Sequence, residues 1–316
     1  MSQSKTPLVL SKIARSEVFF HGRLLAAYER AKRLVEESLA GDLQILPLLG
    51  STRTGKTEIA QALLADYPAT MVNGGLCKPV IRVSTPPEPN KRSMALAIIR
   101  GLDGRVLNKS GTDDLYDQAC KQLRVAGVKV IIFDEIQHLS ENYKNQQARR
   151  AADLLKVLSD ECRISLLLMG LPVAERLFGQ NEQLRERSLS PELIYPYAWA
   201  SPADLEEFRV AVELVFEVYR ESGWRIQLDA DDMTRRLYAA CLGRFGRLID
   251  LFSHAETHNV ARVIDLKCLA KSYEHCIASK LIAGNPFLPA VSISDNELNQ
   301  AYVKVLREAH LDMPKL

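Results

Sequence analysis

The pattern of apolar and polar positions changes once along this chain. From about residue 44 to 200, short apolar runs alternate with helical stretches. From Pro202 onward the pattern reads as helical throughout. Residues 1 to about 20 read as a loosely ordered arm. Arg23 to Leu39 then has apolar or small residues at Leu24, Ala27, Tyr28, Ala31, Leu34 and Leu39, which is amphipathic-helix spacing, and Gly41-Asp42 ends it. Buried strands are predicted at Gln44–Leu49, Val80–Val83, Val128–Phe133 and Ile164–Met169. Pro191 to Trp199 is extended and aromatic, a candidate last strand. Thr85–Asn90 is a loop on its prolines, Ser93 to Leu102 a helix starting after Lys91-Arg92, and Ala151–Leu158 another; Gly170-Leu171-Pro172 ends the strand before it. Five later helices are expected near 203–221, 231–240, 244–258, 266–280 and 295–309. The architecture that follows is a three-layer α/β sandwich on a parallel sheet, then a small all-helical domain. Its boundaries fall at 1–43 (arm and first helix), 44–200 (α/β core), 201–285 (helical domain) and 286–316 (a tail with a helix, a candidate partner-binding segment).

Composition adds little to this. The 316 residues carry 41 basic and 39 acidic side chains, so any nucleic-acid surface must be a local patch. Six scattered cysteines without a C-x-x-C pair read as reduced, mostly buried thiols of a cytosolic protein. Neither an apolar signal-peptide core nor an apolar run of membrane-spanning length is found, so a cytoplasmic location is expected.

The chemistry is concentrated in two places. Gly50-Ser51-Thr52-Arg53-Thr54-Gly55-Lys56-Thr57 matches G-x-x-x-x-G-K-[ST], the phosphate-binding loop or Walker A motif, between a predicted strand and a predicted helix. Glycines let backbone N–H groups turn inward around phosphate oxygens, and the helix N-terminus adds a favourable dipole. Lys56 is placed to reach β- and γ-phosphates, and the Thr57 hydroxyl to ligate Mg²⁺. The second place is Val128–Glu135, an apolar strand ending in Asp134-Glu135, the Walker B pattern. Parallel sheets present catalytic groups at the C-terminal ends of strands. Asp134 is the candidate for the Mg²⁺ shell, and Glu135 for orienting or deprotonating the attacking water. His254 and His258 lie four apart, but the H-E-x-x-H order is absent, and Cys268, His275 and Cys276 lack zinc-finger spacing.

With these motifs in order, the chain resembles AAA+ ATPases, and more narrowly the TniB/TnsC family of ATP-dependent transposition regulators in Tn7-like and Mu-like elements. The resemblance spans about 40 to 285. It rests on Gly50–Thr57, Phe133–Leu139, Leu168-Met169-Gly170, Leu184–Arg187, Gly243–Leu248 and Asn285-Pro286-Phe287. It implies an AAA+ P-loop sandwich with a helical lid, ATP and Mg²⁺ as cofactors, and assembly into a ring or helical filament on double-stranded DNA. It also implies a DDE transposase and a TniQ-like targeting protein as partners. Arg187, with Arg185 as its competitor, lies where the family places an arginine that reaches a neighbouring subunit's ATP. Arg247 lies where the lid contacts nucleotide in the same subunit. Lys91-Arg92 and Lys109-Ser110-Gly111-Thr112 match the family's DNA-facing clusters, with Lys91, Arg92, Lys109 and Thr112 as the phosphate contacts.

One departure stands out. Family members commonly carry a small polar residue where this chain has Leu171, and leucine cannot hydrogen-bond the attacking water. The resemblance therefore leaves open a DNA-bound ATPase, a nucleotide-gated scaffold that hydrolyses little, and another AAA+ role such as a replication loader. Gln137 and His138 are the candidates to compensate.

Overall fold

In the computed structural model, residues 10, 14, 22–72, 74–106, 111–140, 145–228, 230–259, 261–277 and 281–314 are described. They divide into two units. One comprises Ala26–Gly50 and Lys56–Ile194; the other takes the described residues up to Leu25, Ser51–Gly55, and those from Tyr195 on.

The first unit is built on a five-stranded sheet. Its strands are β1 (Ile45–Gly50), β4 (Val80–Ser84), β5 (Val130–Asp134), β6 (Ser165–Gly170) and β7 (Glu192–Ile194), in the spatial order β4-β5-β6-β1-β7. Every pairing is parallel, with Leu46 opposite Leu167, Ile132 opposite Leu167 and Ser84 opposite Asp134. All residues of β1, β5 and β6 are buried, as continuous apolar strands covered on both faces require. Ile45, Leu49, Ile81, Val83, Ile131, Phe133, Leu166 and Leu168 form one core with helices α3 (Lys91–Gly101), α4 (Thr112–Val125) and α5 (Asn145–Cys162). The alternate residues Leu46, Leu48, Ile132 and Leu167 are equally buried on the other face. There α2 (Lys56–Asp66) packs on β1 and β4. α1 (Gly22–Ala40) opens the unit with an apolar face at Ala27, Ala31, Leu34 and Val35, and α6 (Arg176–Gln180) and α7 (Glu182–Arg187) lead to β7.

Three features depart from the sequence reading. A hairpin, β2 (Thr70–Val72) with β3 (Gly75–Cys77), precedes β4. α4 was absent from the reading, although Leu115, Tyr116, Ala119, Cys120 and Leu123 make its buried stripe. α3 starts at Lys91, not Ser93, because Asn90 caps the N–H of Ser93 and the Ser93 side chain returns the bond to Asn90.

The second unit contains α8 (Pro202–Glu221), α9 (Ala230–Cys241), α10 (Phe245–His258), α11 (Leu266–Cys276) and α12 (Asp295–Glu308). It is not wholly helical: β8 (Arg225–Ile226) pairs in parallel with β9 (Val263–Ile264). Tyr197, Phe208, Tyr238 and Trp199 form an aromatic chain, and Tyr302, Leu306 and Leu311 of the α12 region pack with Ala198. Gly243 (φ +67°) must be glycine, since a Cβ there would lie 2.1 Å from the Tyr197 carbonyl oxygen. Of the six cysteines, Cys120, Cys162 and Cys241 are buried, and Cys77, Cys268 and Cys276 only partly. Among the described residues no helix is long and apolar enough to cross a membrane.

A candidate nucleotide-binding site

β1 delivers Gly50 at its C-terminal end, and α2 begins at Lys56 with Thr57 in its first turn. Between them the loop takes two left-handed residues, Arg53 (φ +66°) and Gly55 (φ +101°). A Cβ on Gly55 would lie 2.8 Å from the Leu24 side chain, so glycine is required. Inside the loop the Thr54 hydroxyl donates to the Ser51 carbonyl at 2.8 Å, and Thr52 is exposed.

Lys56 donates from Nζ to the Gly50 carbonyl at 2.7 Å. Burial pushes its pKa down from 10.5 to about 8; the charges of Asp134, Glu135 and Glu58 oppose that shift without cancelling it. The lysine is thus within electrostatic reach of both acids at the end of β5.

Asp134 is buried and ion-pairs with Arg82 of β4. The parallel register makes the pair: Arg82 faces Ile132, two residues before Asp134 on the same strand. The other Asp134 oxygen accepts the Glu135 N–H at 2.9 Å. Glu135 is exposed and left-handed (φ +60°, ψ +37°) at the head of a 3₁₀ turn, Ile136–Leu139. For a residue with a Cβ that conformation costs roughly 1–2 kcal/mol. Gln137, in that turn, is 4% exposed. It donates from Nε2 to the Glu135 carboxylate and accepts the Leu171 N–H on Oε1 at 3.1 Å. His138 is half-buried beside it.

In the second unit, α10 starts against the loop. The Gly246 N–H donates to the Arg53 carbonyl at 2.9 Å, and Arg53 ion-pairs with Asp250 at 2.9 Å. A Cβ on Gly246 would lie 2.9 Å from that same carbonyl oxygen. Arg247 follows in the first turn of α10, partly buried, and its Nη1 has no hydrogen-bond partner among the described residues. Arg244, just before the helix, is 5% exposed; its Nε donates to the Cys241 carbonyl while its Nη2 is likewise unpartnered. Burial, and then Arg247, push the Arg244 guanidinium down to about 10; burial also lowers Arg247. Buried cations with unmet donors suit an anionic ligand.

The fold is that of AAA+ ATPases. Two solved relatives have TM-scores of 0.58: the ORC2 protein of Aeropyrum pernix in ADPNP–ADP complexes (16% identity, 93% of this chain, 82% of that one) and Cdc6p of Pyrobaculum aerophilum (12%, 92% and 81%). The ORC1 protein of A. pernix in complex with DNA has a TM-score of 0.54 (19%, 79% and 64%). A comparison with curated proteins gives no match. The profile of a family described as "Bacterial TniB protein" matches residues 10–194, more than half of the chain. The chain belongs to the TniB family.

The other expected site residues that are described fall on the sheet unit of this TniB-family chain. Arg185 and Arg187 are exposed in the last turn of α7. Arg187 ion-pairs with Asp160 of α5, and Arg185 lies 3.9 Å from Glu186. Lys91 and Arg92 are exposed at the start of α3. Lys91 reaches across to α4, where its Nζ is 2.7 Å from Asp113 and 4.6 Å from the Tyr116 ring centroid. The structure therefore brings Lys91 beside the α4 start that holds Thr112. That start is also acidic, with Asp113 and Asp114 in its first turn. Lys109 and Ser110 lie outside the described residues. Sequence reasoning missed Arg82 and Asp250; it named Gln137 only as a candidate to compensate for Leu171, and Arg244 and Gly246 only within the Gly243–Leu248 piece.

Proposed function

We propose that this chain is an ATP-dependent AAA+ regulator of transposition that assembles on double-stranded DNA, without reading its sequence, and recruits or activates a DDE transposase. A TniQ-like targeting protein is a further partner on this reading. The observation that carries it is Lys56 lying within charge reach of Asp134 and Glu135 at the C-terminal edge of the parallel sheet, in a TniB-family chain.

In this reading Gly50–Thr57 cradle the phosphates, with Lys56 facing the β- and γ-phosphates and Arg247 reaching the nucleotide within the subunit. Thr57 and Asp134 would hold Mg²⁺, which neutralises charge on the phosphate oxygens. Both Asp134 oxygens already accept bonds, from Arg82 and from the Glu135 N–H, so Asp134 fits a hold through water better than direct ligation. Glu135 takes the proton of the attacking water. The water oxygen bonds to the γ-phosphorus, the bond to the β–γ bridging oxygen breaks, and ADP leaves with that electron pair. Arg187, or Arg185, would serve a neighbouring subunit's ATP, which requires Arg187 to exchange Asp160 for phosphate. Lys91, Arg92, Lys109 and Thr112 would meet DNA phosphates, Lys91 by giving up Asp113.

A second reading, a nucleotide-gated scaffold with little hydrolysis, is favoured by the apolar Leu171. Phosphate release with and without duplex DNA separates the two. The regulator reading expects DNA-stimulated turnover in the wild type. It expects Glu135→Gln to keep nucleotide binding but lose roughly 100- to 10,000-fold in turnover. A wild type no faster than that variant supports the scaffold.

A further inference from the structure

We propose that Gln137 is the residue that positions Glu135, by tying its carboxylate to the end of β6. The inference rests on the ATP-hydrolysing reading above and names a part of that same site.

Gln137 is a neutral amide in an apolar setting, between the buried Ile136 and Leu139. Such a group is costly unless both its ends are bonded. Both are: Nε2 donates to Glu135, and Oε1 accepts the backbone N–H of Leu171. The room for this comes from the neighbouring strand. A Cβ on Gly170, the last residue of β6, would lie 2.7 Å from Gln137 Oε1 and 2.8 Å from Ile136 Cγ1. Any larger residue at 170 would displace the amide. The end of β6 therefore fixes Gln137, and Gln137 fixes Glu135.

Glu135 needs that constraint. Its backbone is held in a strained left-handed turn, while its side chain is exposed and has three torsions to lose. A base that wanders by an ångström loses alignment with the water it must deprotonate. The Leu171 side chain offers no polar contact, but its backbone N–H anchors a polar side chain reaching over from the β5 end. The alternative is that Gln137 merely satisfies the Leu171 N–H and fills the core.

Glutamate at 137 separates the two roles. It keeps the shape and the acceptor for Leu171, removes the donor to Glu135, and puts a like charge beside it. ATP turnover and nucleotide binding should be measured on the full chain for wild type, Gln137→Glu, Gln137→Asn and Lys56→Ala. For Gln137→Glu we expect kcat to fall at least about tenfold near neutral pH with KM within about twofold. We also expect the acidic limb of its pH–kcat profile to move to higher pH, because two adjacent carboxyl groups resist joint ionisation. Gln137→Asn, a methylene too short to span both partners, should fall in kcat with the limb unmoved; it serves the same purpose if the glutamate variant does not fold. A purely structural role would lower thermal stability but leave kcat and the limb of the folded variants at wild-type values, and that result overturns the proposal. So does a wild type without measurable turnover. Lys56→Ala reports separately: unchanged nucleotide affinity there refutes the nucleotide-site reading itself, whatever Gln137 does.

Discussion

At the end of β5 both acids already have partners in the chain, Arg82 for Asp134 and Gln137 for Glu135. At the start of α10 the reverse holds. Arg244 is buried and Arg247 partly buried, each has a guanidinium nitrogen with no hydrogen-bond partner among the described residues, and burial, then the Arg247 charge, lowers the pKa of Arg244. The acids are held by side chains of the chain itself, so they suit chemistry that depends on alignment. Both arginines carry a standing desolvation cost; an anion would relieve it at the less buried Arg247, whereas the more deeply buried Arg244 bears it as a cost in stability. Lys56 stands between these cases: two carboxylates act on it, yet burial still dominates.

The largest expected effect that sharpens this contrast is on pH. Burial lowers the Lys56 pKa to about 8, below its ordinary 10.5, whereas a polyphosphate favours the charged form. Nucleotide affinity should therefore be full below that value and fall by up to about tenfold per unit as pH rises above it. Binding of a fluorescent ATP analogue from about pH 6.5 to 9.5 checks this. A flat profile means that Lys56 stays charged throughout and that its burial has been overstated.

A smaller effect separates the two arginines. Arg247→Ala should weaken nucleotide binding about tenfold, the worth of one charge-assisted hydrogen bond. Arg244→Met keeps the volume and removes the buried charge. It should leave binding unchanged and keep or raise stability by up to about 1 kcal/mol in a denaturant titration. If Arg244→Met loses more stability than that, or loses the affinity instead of Arg247→Ala, the contrast between preset acids and unmet arginines fails.

How much of this was legible depended on whether distance in sequence or in space decides the role. Gly50–Thr57 and Asp134-Glu135 were readable because phosphate chemistry demands given residue types at fixed spacing, beside apolar strands that are buried on both faces. The strands themselves were readable for the same reason. Gln137 was noticed only as a candidate to compensate for Leu171, since its burial is set by Gly170 on a neighbouring strand. Arg82 acquires its partner from the β4–β5 register, which no local pattern encodes. The α3 start was readable in principle, since Asn90 and Ser93 have capping-box spacing. The β2–β3 hairpin was not: its strands are three residues long, and β2 is exposed throughout, so no alternation marks it. Lys91 and Arg92 were read as basic surface, but only the packing of α3 on α4 reveals Asp113 beside Lys91.

The central claim is that Gly50–Thr57 bind nucleotide through the Lys56 cation. Calorimetric titration of a non-hydrolysable ATP analogue into wild type and Lys56→Ala tests it most directly. Removing a charge-assisted contact to the β- and γ-phosphates is expected to cost roughly 2–3 kcal/mol, about a 100-fold loss of affinity. An affinity within about twofold of wild type would contradict the account.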